Sequence, residues 1–252
     1  MAIELKCGAF LLEGMSTVED NYSWRVPEHR VARRAGSIAP RVPAPDSARI
    51  NLTGEIWQAN NELLEQYLFE LRAALAQGRA RLTITNIGWY RYGVIEKFTR
   101  SHKADRAGYL CASVAMTFLS DDPFWYEDNE PTATADLEGA GTLSLTNNGL
   151  ASTPFVFVVE RTSPGVAGEI PNVIITNTTT SLQLKWTGGV LELNKKLIFD
   201  TRNGQVKYGG GSAINDVVDS QIYMELVPGV NNFAYEGPGD VTITVQWTER
   251  WY

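Results

Sequence analysis

The sequence predicts a mainly β protein with one amphipathic helix, and three observations carry that reading. Residues 182–251 alternate apolar and polar in short runs separated by Gly-Gly, Asn-Gly and Pro-Gly. This is the pattern of half-buried strands joined by tight turns. One segment, about 61–77, has apolar residues at helical spacing instead. Beyond residue 130 turn signals recur roughly every 8–12 residues, the spacing of a β-sandwich.

Taken in order, residues 1–24 accommodate a strand or two. Residues 25–49 are rich in Arg, Ala and Pro, with Pro27, Pro40, Pro43 and Pro45. Proline lacks a donor and blocks helices and central strands, so this stretch predicts a long loop or arm. Loops of that length are commonly functional or ordered by a partner. Strand character resumes at Ile50 to Ile56. A helix is predicted from Asn61 to Gln77, with Leu63, Leu64, Tyr67, Leu68, Leu71 and Leu75 on one face. Asn60 or Asn61 caps its start, and Gly78 stands where a C-cap belongs. Strands are predicted at Arg81 to Asn86, Trp89 to Thr99 and Tyr109 to Ser120, with Ser101 to Gly108 as a polar turn. The acidic, turn-rich stretch from Glu127 to Gly141 predicts a boundary near residue 130, and so domains at 1–130 and 131–252.

In the second domain one hairpin is predicted from Leu182–Thr187 through Gly188-Gly189 to Val190–Asn194. Another runs from Leu197–Thr201 through Asn203-Gly204 to Gln205–Tyr208. Both turns supply the positive φ that short hairpins demand. Strands Ile222 to Leu226, Asn231 to Tyr235 and a last one from Val241 complete the pattern, with Pro228-Gly229 as a turn.

The chain has 252 residues, 22 basic and 29 acidic, for a net charge of −7. That balance argues against a dedicated nucleic-acid binder, whose affinity rests on cations at phosphates. The arm departs from it, carrying Arg25, Arg30, Arg33, Arg34, Arg41 and Arg49 against Glu28 and Asp46. The first residues lack a signal-peptide layout, and no apolar run has the roughly 20 residues of a membrane helix, so cytoplasmic synthesis is expected. Cys7 and Cys111 read as small buried apolar groups.

Catalytic and cofactor chemistry is not visible. His29 and His102 lack ligand-spaced partners. No phosphate loop, dinucleotide fingerprint or nucleophile elbow occurs. Gly209-Gly210-Gly211-Ser212 reads as a flexible loop. Asp121, Asp122, Glu127, Asp128 and Glu130 match no calcium loop and read as a solvated hinge. Parity places Trp186 with Leu182 and Leu184, and Trp247 with Val241, Ile243 and Val245. Both tryptophans then face the core rather than forming a sugar platform, while Trp251 and Tyr252 lie beyond the alternation and read as exposed.

The order and spacing of several motifs together resemble the distal tail proteins of long-tailed (siphovirus-type) bacteriophages and related phage-tail-like particles. The residues concerned are Ile50 to Gly54, Leu63 to Gly78 and Asp122-Pro123-Phe124-Trp125-Tyr126 in the first domain. In the second they are Gly188 to Tyr208, Leu226-Val227-Pro228-Gly229-Val230-Asn231-Asn232 and Val241 to Tyr252. The N-terminal hairpin of that family fits residues 1–24 only loosely. The resemblance implies an N-terminal split β-barrel akin to tail-tube subunits and a C-terminal galectin-like β-sandwich. It implies a non-enzymatic virion protein with no cofactor or metal, a six-membered ring in the baseplate hub. Its partners would be other copies of itself, the tail-tube protein, tip proteins and fibres or receptor-binding proteins. DNA would pass through the lumen without specific binding. The positive arm on a negative protein adds an expectation of its own: Arg25, Arg30, Arg33, Arg34 and Arg41 form a subunit interface. The alternatives are a carbohydrate- or receptor-binding module, a tail-tube subunit and, least supported, a cell-wall hydrolase.

Overall fold

The structure is a computed structural model. It describes residues 3–7, 10–25, 29–30, 37–38, 44–76, 78–85, 87–104, 110–120, 122–162, 172–218, 220–237 and 239–252. The chain divides into two compact units, Met1–Trp125 and Tyr126–Tyr252.

The first unit runs β1 (Ile3–Cys7), β2 (Phe10–Arg25), β3 (His29–Arg30), β4 (Ser37–Ile38), β5 (Ala44–Gln58), α1 (Asn61–Leu75), β6 (Ala80–Ile84), β7 (Trp89–Ala104), β8 (Leu110–Ser120) and β9 (Trp125–Glu127). Pairing follows the order β6-β1-β2-β5-β8, and β7 bonds both β6 and β8, which closes the circuit into a split barrel. Two long strands serve both halves. In β2, Phe10–Met15 pairs with β1 and Ser16–Arg25 with β5. In β7, Trp89–Gly93 pairs with β6 and Val94–Ala104 with β8. Close packing permits the crossing of β7: a Cβ on Gly93 would land on the Leu119 carbonyl oxygen and the Phe118 ring.

Within the predicted arm the described residues are strand, and 26–28, 31–36 and 39–43 lie outside the described residues. β2 and β5 stay paired out to Arg25 opposite Ala44, and β3 pairs with β4 between them. Residues 44–49 are therefore strand, not loop. Pro45 lies opposite Trp24, where the register shifts, the irregular kind of position at which a strand tolerates a missing donor. Strand structure in β7 likewise continues to Ala104, past the predicted turn start at Ser101.

Helix α1 begins as predicted. Asn60 is the N-cap, its side-chain oxygen accepting from the Leu63 amide at 2.9 Å. It ends at Leu75, short of Gln77, with Ala76 as C-cap. Leu64, Leu68, Leu71, Ala74 and Leu75 are buried, but Leu63 lies at the rim and is exposed.

The second unit holds β10 (Thr132–Glu138), β11 (Gly141–Asn147), β12 (Thr153–Arg161), β13 (Val173–Asn177), β14 (Leu182–Trp186), β15 (Lys196–Asp200), β16 (Gln205–Tyr208), β17 (Gly211–Ser212), β18 (Glu225–Leu226), β19 (Gly229–Glu236), β20 (Asp240–Trp247) and β21 (Arg250–Trp251). One sheet has the order β10-β20-β12-β15-β16-β17, with β18 beside β12. The other is β11-β19-β13-β14. Their inner faces share a single apolar core containing Phe155, Phe157, Phe199, Phe233, Trp186 and Trp247. Ring centroids of Phe155 and Phe157 both lie within 6 Å of Phe233, at 5.6 and 5.7 Å, near enough for favourable tilted packing.

Three expectations change here. Residues 190–194 form no hairpin with β14. The strand that pairs with β14 is β13, and residues 190–194 leave for the other sheet. The Tyr208 hydroxyl donates to Val190 O (3.0 Å) and accepts from the Glu192 amide (2.8 Å), Arg161 donates to Leu191 O, and Leu191 is fully buried. These side chains supplement a single parallel bridge, Leu193 with Arg161 of β12, in satisfying the backbone of this segment. Gly209-Gly210-Gly211-Ser212 is a turn leading into β17, with Gly209 and Gly210 at φ 55 and 90. Thr132–Glu138 lies in the predicted boundary stretch but is a full strand, because Ala133, Ala135 and Leu137 turn inward and Asp136 and Glu138 outward.

Candidate interaction surfaces

Of the arginines predicted at a subunit interface, Arg33, Arg34 and Arg41 lie outside the described residues. Arg25 ends β2 and Arg30 ends β3. Arg49 projects from β5 and pairs with Glu96 at 3.0 Å, both side chains exposed.

The Asp-Pro-Phe-Trp motif has a structural job that spacing alone did not reveal. Arg91 on β7 is fully buried. Its Nη2 donates to Pro123 O at 2.6 Å, its Nε to Phe124 O at 3.3 Å, and its guanidinium stacks 4.3 Å over the Trp125 ring. Charge-assisted bonds plus a cation–π contact offset the cost of burying the charge. The Asp122 side chain accepts from the Phe124 amide, and the Ser120 hydroxyl lies within reach of the Tyr92 and Asp122 carbonyls. The motif is thereby strapped to β7. A buried arginine in a strand has no composition signal, so sequence reasoning passed over it.

Helix α1 is clasped to β7 by Glu65, which accepts from Arg100 (3.0 Å) and contacts His102 (2.7 Å). The hydrogen bond from Arg100 holds the Glu65 carboxyl below the usual glutamate value, with His102 adding to the effect. His102 is therefore a surface partner of a carboxylate; the side chain of His29 is outside the described residues. Beside this clasp a groove of about 490 Å³ runs between α1 and β7, past Leu68, Phe69, Arg72, Ile95 and Phe98. Phe69 is 73% exposed.

The opposite face of β5, β8 and β7 is an open trough of about 790 Å³ lined by Thr53, Glu55, Thr99, Ser101, Ser113 and Ala115. Strand alternation groups the Thr53, Thr99, Ser101 and Ser113 residues, and Arg100 also lines the trough. Across β6 and β7, Arg79 stacks on Tyr92 (4.5 Å) and Arg81 on Tyr90 (4.2 Å).

In the second unit the turns are held by buried amides. Asn231 accepts from the Val227 amide and donates to Val227 O and Gly229 O, closing the Pro228-Gly229 turn. Asn147 holds Ala151 O and Leu226 O in the same way. Glu249 is only 4% exposed and accepts from both the backbone and the side chain of Asn148. Trp186 and Trp247 are buried as parity predicts, at 0% and 5% exposure. Trp251 is half-buried and Tyr252 exposed. Within the acidic stretch, Glu130 pairs with Arg202. No group of three or more metal-ligating side chains occurs among the described residues. Cys7 and Cys111 are buried and form no disulfide, and burial pushes the Cys7 thiol up.

Comparison with known proteins agrees with the resemblance read from the motifs. Residues 148–251 match the family described as siphovirus-type tail component, C-terminal domain. The crystal structure of the Dit protein (gp 19.1) of SPP1, described as a paradigm of the hub adsorption apparatus in phages infecting Gram-positive bacteria, matches over 100% of both chains at 17% identity, with a TM-score of 0.70. A chain of the phage P2 baseplate in its activated conformation with Ca matches over 97% of both chains at 7% identity, with a TM-score of 0.41. No curated protein matches in sequence. Residues 148–251 therefore resemble the C-terminal domain of siphovirus-type tail components, and the chain as a whole shares the fold of the SPP1 Dit protein.

Proposed function

We propose that this protein is a structural, non-enzymatic subunit of the virion, at the distal end of a siphovirus-type tail. Copies of the barrel unit close into a ring of six that joins the tail tube to the tip hub and leaves a lumen for DNA. The observation that carries this reading is the fold shared with the SPP1 hub protein along the full length of both chains. A ring closed by heterologous contacts needs two different complementary surfaces on each subunit. The extended β2–β5 hairpin with its arginines is one candidate, and the groove beside Phe69 is a second. The trough on β5, β8 and β7, lined by Thr and Ser together with a single arginine and a glutamate, suits a conduit, since DNA is held chiefly by arrays of Lys and Arg. Aromatic residues of the sandwich strands mostly pack inward, which disfavours a sugar-stacking platform there.

Native mass spectrometry with negative-stain imaging of the purified full chain tests the reading. Rings of six support it; long tubes favour a tube subunit instead. Replacing Arg30, Arg33 and Arg34 with Glu is expected to abolish the ring, and an intact ring in that variant removes the arm from the interface.

A further inference from the structure

The two sandwich sheets end in four strand edges, and three of them are closed to pairing. β14 is covered by Asp216, Val218 and Gln221: Thr187 N bonds Asp216 O, Val218 N bonds Lys185 O and Gln221 N bonds Gln183 O, at 2.8–3.1 Å. β17 is two residues long. β10 exposes Asp136 and Glu138. Short length, inward covering and outward charge are the usual protections of a sheet edge.

The fourth edge has none of these. β11 is seven residues long and pairs with β19 in unbroken register from Gly141↔Tyr235 to Asn147↔Gly229. No described strand pairs its other side. It carries no charge, no proline and no bulge. Thr142, Ser144 and Thr146 face solvent, while Leu143 and Leu145 turn toward the core.

The sequence of this edge reads the same in both directions, Thr142-Leu143-Ser144-Leu145-Thr146. We propose that β11 is a homotypic docking edge, which pairs antiparallel with β11 of a second copy of this chain about a two-fold axis at Ser144. That axis sets Ser144 opposite Ser144, Leu143 opposite Leu145 and Thr142 opposite Thr146. Each apolar side chain then meets an apolar one on the core side, and each hydroxyl meets a hydroxyl on the outer side. Thr–Thr and Thr–Ser neighbours are favourable cross-strand pairs. A foreign strand gains no such match at every position, and an edge so matched to itself fits an isologous contact. Two four-stranded sheets become one of eight, and the main-chain bonds of β-strand addition supply the attachment. The proposal stands apart from the ring: ring contacts are heterologous, whereas this one links sandwich to sandwich in pairs.

Cysteine placement in the full chain tests it, since both native cysteines are buried. Ser144→Cys is expected to give a disulfide-linked dimer on mild oxidation, at unchanged melting temperature. Thr134→Cys, on the charged edge β10, is the control and is expected to stay monomeric. Thr142→Cys mixed with Thr146→Cys should link, and neither alone should. Ser144→Lys opposes two like charges and should remove the paired species. The proposal is overturned if S144C links no better than T134C, or if T142C and T146C each link to themselves as readily as to one another. Native mass spectra separate this outcome from the ring reading. Single rings of six without S144C cross-links leave the ring standing and sink the edge. Cross-linked pairs without rings do the reverse.

Discussion

Gly93 sits against the Leu119 carbonyl oxygen and the edge of the Phe118 ring, at the point where β7 leaves β6 for β8. A side chain there meets backbone on one side and a fully buried ring on the other. Gly93→Ala is expected to destabilise the protein by about 1–3 kcal/mol, the ordinary cost of overpacking. Chemical denaturation measures this directly, and an unchanged midpoint would mean that the two strands part easily.

Arg91 anchors the segment that follows β8. A hydrogen bond to a charged group contributes about 1.5–3 kcal/mol, and Arg91 donates to both Pro123 O and Phe124 O. Arg91→Ala should therefore lower stability by more than about 2 kcal/mol. Arg91→Lys cannot span both carbonyls while lying flat on Trp125, so it should rescue only part of the loss. Full rescue by lysine would reduce the residue's role to charge alone.

Asn231 is the reason that Pro228-Gly229 is followed two positions later by an asparagine. Asn231→Ala leaves the Val227 amide and two carbonyls without their side-chain partner. A loss of about 1–3 kcal/mol is expected, accompanied by faster amide exchange at Val227.

Among the described residues the buried Tyr235 hydroxyl has no hydrogen-bond partner, and burial pushes its pKa up to about 12. Tyr235→Phe removes a polar group that the core does not satisfy, so stability should hold or rise. A clear loss would reveal a partner for the hydroxyl in solution.

Glu65 ties α1 to β7 with a carboxyl whose folded pKa is depressed. A depressed carboxylate stabilises above its unfolded pKa of about 4.3, and that contribution is lost as pH falls through the folded value. The stability gap between the native protein and Glu65→Gln should thus be present at neutral pH and close in acid. A gap independent of pH would show that the carboxylate charge is irrelevant to the clasp.

Much of this was legible because it rested on alternation. The parity of Val241, Ile243, Val245 and Trp247 settles which way they face, since a strand has only two sides. The cap at Asn60 and the apolar stripe of α1 were equally plain, apart from Leu63 at its rim. What stayed hidden was long-range. Gly188-Gly189 is a sound hairpin signal, yet β14 pairs with β13, and residues 190–194 are held instead by the distant Tyr208 and by Arg161, which also bridges Leu193. Proline counts hid the extension of β5, because one displaced register position at Trp24 accommodates Pro45. Arg91 was invisible because its acceptors lie 32 and 33 residues away.

β2 and β7 each belong to both halves of the barrel. Pulling the two halves apart would therefore have to stretch or unzip a continuous covalent chain at two places, not merely slide one face past another. Under tension the wall of this unit bears load through peptide bonds, and its girth is set by strand count instead of by the strength of side-chain contacts.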